Sequence, residues 1–416
     1  MMPADARQLG LMVGSPPAAA GLVTLSNWQG PPWNRWSFQH VGQLIPSGRI
    51  SRGDGPVLEL PDEPRDIDDL PFRTIAGTSS TLGAHLEASY TDGFLALHHG
   101  RIVAEQYSNG MTPGTRHLLQ SVSKSLTGAL AGALAGSGAL DPGGLVTDSV
   151  PMLRGTSFEG ATVRHLLDMT AGTRFSEDYG DPGSDVRRYE IAAGWQPAAD
   201  GQSGIDLAAY IATLPNRSAH GEAFAYRSIL TDVLAMVLEG SSAERFADAM
   251  SGLLWSLMGA EHDAEITVDR HGNAMSDGGI SVTLRDLARF GQLYLLGGSL
   301  SGLQVLPAAW VADTRFADEA CRGLFLASLE AARAMWSPAQ QACAARGHYR
   351  NQWWVLDPGP GIMMGSGIYG QYVYVDVARD VVLAKLSSLP RPLDPTIAAD
   401  TLSAFASLAA HLGELA

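Results

Sequence analysis

Ser121 and Lys124 carry the sharpest chemical signal in the chain, because the run Ser121-Val122-Ser123-Lys124 sets a hydroxyl and an amine three residues apart. If this stretch is helical, positions i and i+3 share a face and the two side chains can meet. Serine is a poor nucleophile at its own pKa and needs a base within hydrogen-bond reach. A lysine serves as that base only when burial or a neighbouring cation lowers its pKa toward neutrality. The run opens onto an apolar Ala/Leu/Gly segment, residues 126–140, whose burial would desolvate the amine, so an uncharged lysine is the expectation. The N-terminus of such a helix also offers backbone N–H groups to an oxyanion. Acyl transfer through a serine is the chemistry implied. An S-x-x-K alone arises by chance about once in a chain of this length, so its surroundings must carry the argument.

Those surroundings start with the helix itself. Glycines at 128, 132 and 136 leave a smooth stripe on one face, which lets another element approach closely. Fifteen residues are too few for a hydrocarbon core of about 30 Å, so a buried central helix is expected. Asp141-Pro142-Gly143-Gly144 should end it. Upstream, Phe94-Leu95-Ala96-Leu97, a His98-His99-Gly100 turn and Ile102-Val103-Ala104 read as a β-hairpin. Downstream, Gln352-Trp353-Trp354-Val355, Tyr372-Val373-Tyr374-Val375 and Val381-Val382-Leu383-Ala384 read as antiparallel strands, and residues 396–412 as a closing helix.

Between these ends lie helix-like patterns and a loop-rich stretch, residues 172–204. The expectation is an α+β fold: one antiparallel sheet built from both ends of the chain, flanked by helices, with an inserted all-helical domain. The domain reading follows. Residues 1–75, rich in Pro, Gly and Trp (Trp28, Trp33, Trp36), form an extension packed on the core. Residues 76–149 and 285–416 form a discontinuous α/β domain, and 150–284 a mainly helical insert with an active-site loop.

Composition narrows the partners. The 416 residues hold 28 Lys plus Arg against 43 Asp plus Glu, a net charge of −15 that repels phosphate backbones. No apolar run reaches the roughly 18 residues that a membrane span needs. The first residues lack the basic-then-apolar pattern of a signal peptide. Cys321 and Cys343 show no metal-ligand spacing and are too few for a secreted framework, so reduced thiols in the cytoplasm are expected. The expected partner is a small-molecule amide or ester, with no cofactor, metal, nucleic acid or membrane; oligomeric state stays open, a homodimer included.

The stretch from His117-Leu118-Leu119-Gln120 through Ser121 and Lys124 to Leu126 resembles the nucleophile segment of the penicillin-recognising serine hydrolases, which include class C β-lactamases, family VIII esterases and DD-peptidases. Thr162-Val163-Arg164-His165-Leu166-Leu167-Asp168-Met169-Thr170-Ala171-Gly172 resembles the helix-and-turn signature that follows. Phe224-Ala225-Tyr226-Arg227-Ser228 resembles the second motif, and Gly367-Ile368-Tyr369-Gly370-Gln371 falls where the third belongs. Within that superfamily, Trp33-Asn34-Arg35-Trp36, Glu177-Asp178-Tyr179, Ala193-Gly194-Trp195, Gln352-Trp353-Trp354 and Lys385-Leu386-Ser387-Ser388 resemble the nylon-oligomer (6-aminohexanoate-oligomer) hydrolases.

The resemblance implies a β-lactamase-like fold and an acyl-enzyme mechanism on a linear amide or short acyl ester. Ser121 would be the nucleophile, Lys124 would keep Ser121 and Tyr226 activated, and Tyr226 would carry the proton to the leaving group. The oxyanion would rest on the backbone N–H groups of Ser121 and Ile368. Tyr179 would reach the scissile group from a mobile loop, and Glu190, Trp195, Asp277, Trp354 and Tyr369 would line the pocket. Glu190 and Asp277 together would favour a substrate ammonium by Coulomb attraction.

Two departures separate the chain from the lactamases. The third motif has Tyr369 where lactamases carry lysine and nylon-oligomer enzymes histidine, and Ser228 replaces asparagine in the second. Recognition of a β-lactam carboxylate should therefore be poor. The alternatives are a β-lactamase or DD-peptidase, and a binding protein that kept the fold without turnover. Gly365-Ser366-Gly367-Ile368-Tyr369-Gly370 matches a dinucleotide fingerprint, but a strand rather than a helix should follow it. The absence of G-x-S-x-G argues against an α/β-hydrolase, and His165 reads as structural.

Overall fold

Alternation of side chains across a strand sends Leu95 and Leu97 to one face of a sheet and Phe94 and Ala96 to the other, and both faces are buried. The computed structural model, which describes residues 3–198, 204–332 and 345–414, shows what covers each face. Seven antiparallel strands run in the order His348–Arg350, Trp353–Asp357, Ile362–Gly367, Gln371–Asp376, Val381–Ser387, Thr91–His98 and Arg101–Tyr107. The join between the two ends of the chain is the pair Val381–Ser387 and Thr91–His98, in register as Val381 with His98 and Lys385 with Phe94. The α+β architecture expected from the sequence is the one observed.

One face of the sheet packs Phe94, Tyr374 and Leu383 against Phe405 and Leu408 of the closing helix Pro395–Gly413. On the other, Leu95, Val373 and Val382 meet the helix Leu284–Leu295 and the helix that follows Ser121. That second helix spans Val122–Gly136 and ends four residues earlier than expected. Gly138 adopts φ +77° and Ala139 N–H bonds back to Leu134 O, so the helix stops before Asp141. Its glycine stripe meets three neighbours: a methyl on Gly128 would lie 2.3 Å from Asn351 O, on Gly132 2.6 Å from the Trp310 ring, and on Gly136 2.4 Å from Pro307.

A second sheet was not foreseen. Ser47–Ile50, Ala264–Thr267, Ile280–Val282 and His117–Leu118 pair in that order, all antiparallel. Strands of two to four residues leave too little alternation to read in a sequence. The N-terminal segment therefore supplies a strand as well as a covering, and the helical insert carries two. Buried hydrogen bonds fix that segment further: Trp28 Nε1 to Trp195 O at 2.8 Å, and Asn34 Nδ2 to Leu389 O at 2.7 Å. Arg35 pairs with the fully buried Asp92 at 2.8 Å, and Asp92 also accepts from Ser388 Oγ at 2.7 Å. Cys321 is buried as a free thiol, while Cys343 lies outside the described residues. No helix among the described residues is long and apolar enough to cross a membrane.

Candidate active site

The short strand His117–Leu118 delivers the chain into a tight turn. Leu118 N–H bonds to Phe38 O and Leu119 N–H to Ile280 O, and Gln120 then takes a left-handed φ of +49°. Left-handed backbone is costly for a side-chain-bearing residue and persists where its surroundings enforce it. Here it turns Ser121 into the first position of the helix that begins at Val122. The strand Ile362–Gly367 closes on this turn, because a methyl on Gly367 would sit 2.6 Å from Leu119 O and 3.1 Å from Gln120 Cβ. Only glycine allows that approach, which sets Gly367, the residue before Ile368, against Gln120, the residue before Ser121.

Lys124 Nζ lies 2.9 Å from Ser121 Oγ and donates to Asp277 O at 2.8 Å. The amine is 1% exposed, whereas Ser121 and Tyr226 are half-buried and open to solvent. Tyr226 stands beside this pair: Lys124 Nζ lies 5.2 Å from its ring centre, and both Lys124 and Ser121 act on its phenol. Tyr226 is held by its neighbours: its ring stacks on Trp354 at 5.2 Å, Ala225 N–H bonds to Met169 O, and Arg227 Nη1 bonds to Ala171 O at 2.8 Å. Ser228 N–H donates to the carboxylate of Glu177.

The charge state of Lys124 corrects the sequence reading. Burial does press the lysine pKa down, but the charge of the acidic groups around it, Asp277 among them, presses it up by more, and the net direction is upward. The resting amine is an ammonium, with Asp277 Oδ2 at 3.5 Å as its counter-charge. Tyr226 is pushed up by burial and partly drawn back by Lys124, so it rests as a phenol.

The expected pocket residues fall around this core in unequal ways. Tyr179 is half-buried and sits where Glu177, Asp277, Tyr226 and Glu190 all act on its phenol. Trp195 is 3% exposed and anchored through Nε1 to Thr267 Oγ1 at 3.0 Å, with Trp28 edge-on at 5.0 Å. Tyr369 is buried with φ +63°, its N–H on Pro392 O and its ring edge-on to Phe38 at 5.1 Å. Trp354 flanks Tyr226, while the adjacent Trp353 is fully buried against Tyr294 at 4.4 Å. Neither acid stands free. Glu190 is bound by Arg187 at 2.7 Å and by Gln29 at 3.2 Å, and Asp277 by Lys124 and by Tyr189 Oη at 2.6 Å. The pull on an ammonium expected from two open carboxylates is thus largely offset by Arg187 and Lys124.

Sequence reasoning missed Arg187, Tyr189 and Asp232. Asp232 could have been noticed as a charged residue inside the apolar run Ile229, Leu230, Val233, Leu234 of the helix Ile229–Ser242. Arg187 gives no such signal. His165 caps its own helix, accepting from Thr162 N–H through Nδ1 at 3.0 Å.

The geometry agrees with what the chain resembles among known proteins. The Beta-lactamase family pattern matches residues 85–407. The chain belongs to that family. Over 382 residues this family member is 38% identical to the 6-aminohexanoate-dimer hydrolase of Paenarthrobacter ureafaciens, covering 91% of each chain. A Bacillus anthracis structure assigned provisionally as a 6-aminohexanoate-dimer hydrolase superposes with a TM-score of 0.83 at 26% identity, covering 94% of this chain and 97% of that one. A class C β-lactamase shares the fold at a TM-score of 0.53 and 17% identity, over 78% of this chain and 92% of that one.

Proposed function

We propose that the protein is a serine hydrolase that opens a linear amide or short acyl ester through an acyl-enzyme at Ser121. The observation that carries the reading is the 2.9 Å contact of Lys124 Nζ with Ser121 Oγ, inside a cluster that Tyr226 also reaches. Ser121 Oγ attacks the carbonyl carbon, and the oxyanion rests on the Ser121 and Ile368 N–H groups. Tyr226 passes a proton to the departing nitrogen or oxygen, and water later releases the acid. Because Lys124 is charged at rest, it sheds a proton before it can help to take one from Ser121. A substrate of the 6-aminohexanoate-oligomer type is favoured by the resemblance to the hydrolase of that name. Tyr179 would close over the scissile group from its loop, as lids do. A small-molecule role in the cytoplasm, with no nucleic-acid partner, suits the net charge of −15 and the two sparse cysteines.

Parallel assays with a linear 6-aminohexanoate dimer, p-nitrophenyl butyrate and nitrocefin test the substrate class. The expected pattern is turnover of the first two and little of nitrocefin, since Tyr369 supplies no cation for a β-lactam carboxylate. Ser121→Ala should lose at least about a thousandfold in kcat on both active substrates. Retention of more than a few per cent of turnover would remove Ser121 as nucleophile. Tyr179→Phe should slow the amide more than the ester; equal losses would exclude a role at the scissile nitrogen.

A further inference from the structure

This inference rests on the reading of Ser121 as nucleophile and Lys124 as its proton partner. Tyr189, on the helix Asp185–Ala192, is 1% exposed and places its Oη between two carboxyl groups. It lies 2.5 Å from Asp232 Oδ2 and 2.6 Å from Asp277 Oδ1. Both separations are those of strong O–H···O bonds. A phenol has one hydrogen, and an ionised carboxylate only accepts. Two such bonds at one phenol oxygen therefore need a second hydrogen, and a carboxyl group must supply it.

Asp232 is the group that holds it. Its side chain is buried, and burial together with the charge of Asp277 drives its pKa far above the usual carboxylate range. Its other oxygen accepts from Asp277 N–H at 3.1 Å and faces Ser276 Oγ at 3.2 Å. Asp277 instead pairs with Lys124, whose Nζ lies 3.5 Å from its Oδ2. At rest the chain of bonds runs from the Asp232 acid to Tyr189, from Tyr189 to the Asp277 carboxylate, and from Asp277 to Lys124.

We propose that Asp232 and Tyr189 are positioning residues that form, with Asp277, a proton relay governing when Lys124 becomes a base. In one shift the Asp232 Oδ2–H bond breaks as a new bond to Tyr189 Oη forms. Tyr189's original Oη–H bond breaks as Asp277 Oδ1–H forms. No proton is gained or lost by the three groups, but the negative charge moves from Asp277, beside Lys124, to the more distant Asp232. The ammonium then faces a neutral acid, releases its proton to bulk water, and is left as the free amine that Ser121 needs. The titratable groups that face Lys124 are Tyr226, Asp277, Glu177 and Asp232. Those that face Asp232 are Asp277, Tyr189 and Lys124, and Tyr189 is faced by the two aspartates.

Asp232→Asn separates this relay from a structural role. The amide imitates the neutral acid, donating to Tyr189 and accepting from Asp277 N–H, but it can never take the negative charge. Wild type and variant are first titrated with a fluorophosphonate probe to count competent Ser121 sites, and kcat/KM is then followed against pH per labelled site. The expected result is full labelling, a melting temperature within about 4 °C of wild type, and an acid limb moved up by about one pH unit. That shift is a tenfold loss below the limb, and KM is unchanged. Tyr189→Phe, which cuts both bonds, should move the limb in the same direction. Superimposable pH profiles for wild type and Asp232→Asn would overturn the relay. So would a collapse in stability of Asp232→Asn, because it would mean that residue 232 is needed as an anion. A wild type that labels nowhere fails earlier, at the serine-hydrolase reading itself.

Discussion

Two lysines are fully buried in this protein, and their environments drive them in opposite directions. Lys124 has the Asp277 carboxylate 3.5 Å away and is held as an ammonium. Lys385, on the strand Val381–Ser387, is lowered by burial to about 7, with Asp92 opposing that shift. Its Nζ donates to Ser387 Oγ at 2.5 Å and reaches Gly370 O at 3.4 Å. A base whose folded pKa is depressed binds fewer protons folded than unfolded, so stability rises with pH between the two values. The window runs from about 7 up to the ordinary lysine value of 10.5. Lys385→Met should therefore raise the melting temperature most at pH 6–7, with the gain shrinking toward pH 10; a pH-independent difference would show that the fold does not lower the pKa of Lys385. At this scale the Ser121–Lys124 spacing was legible, since i and i+3 on a helix is local geometry. The charge on Lys124 was not, because it is set by acids such as Asp277 that lie far away in the chain.

At the scale of elements, the glycine stripe of the helix Val122–Gly136 was read correctly as a surface for close approach, and the partners were not. Asn351, Trp310 and Pro307 are 170 or more residues away in sequence, beyond any periodicity argument. The stripe supplies a paired prediction. Gly128→Ala should destabilise by about 1–3 kcal/mol, since the methyl would force Asn351 O away and overpacking outweighs the gain in helix propensity. Gly323→Ala, in the helix Glu319–Ala332 with nothing within 4 Å of the new methyl, should stabilise by about 0.5–1 kcal/mol. Urea unfolding of the two variants checks both signs. The strands of the large sheet and the closing helix were visible because unbroken apolar runs mark them, such as Tyr372-Val373-Tyr374-Val375 and Val381-Val382-Leu383-Ala384. The second sheet was hidden for the opposite reason, and with it the role of Leu118 in aiming the Ser121 turn.

Across the whole molecule, the N-terminal segment both packs on the core and holds residues expected at the site. Trp28 holds Trp195, and Gln29 holds Glu190, so two expected pocket residues depend on the first thirty positions. Arg35→Met would leave Asp92 buried without its guanidinium, and such a loss costs about 3–5 kcal/mol. The unfolding midpoint in urea should fall accordingly, and ester turnover should fall with it under conditions where wild type is folded. An unchanged midpoint would show that His117, 3.2 Å from Asp92, carries the charge balance alone.

The union of Thr91–His98 with Val381–Ser387 has one more effect, on the moment at which chemistry begins. A ribosome releases the hairpin and the Ser121 helix long before the strand that completes their sheet, and contacts so distant in sequence form late. Gly367 and Ile368 arrive in that same final portion. Incomplete chains thus carry the proposed nucleophile without the backbone donor proposed to face it, and activity is expected only from the finished molecule.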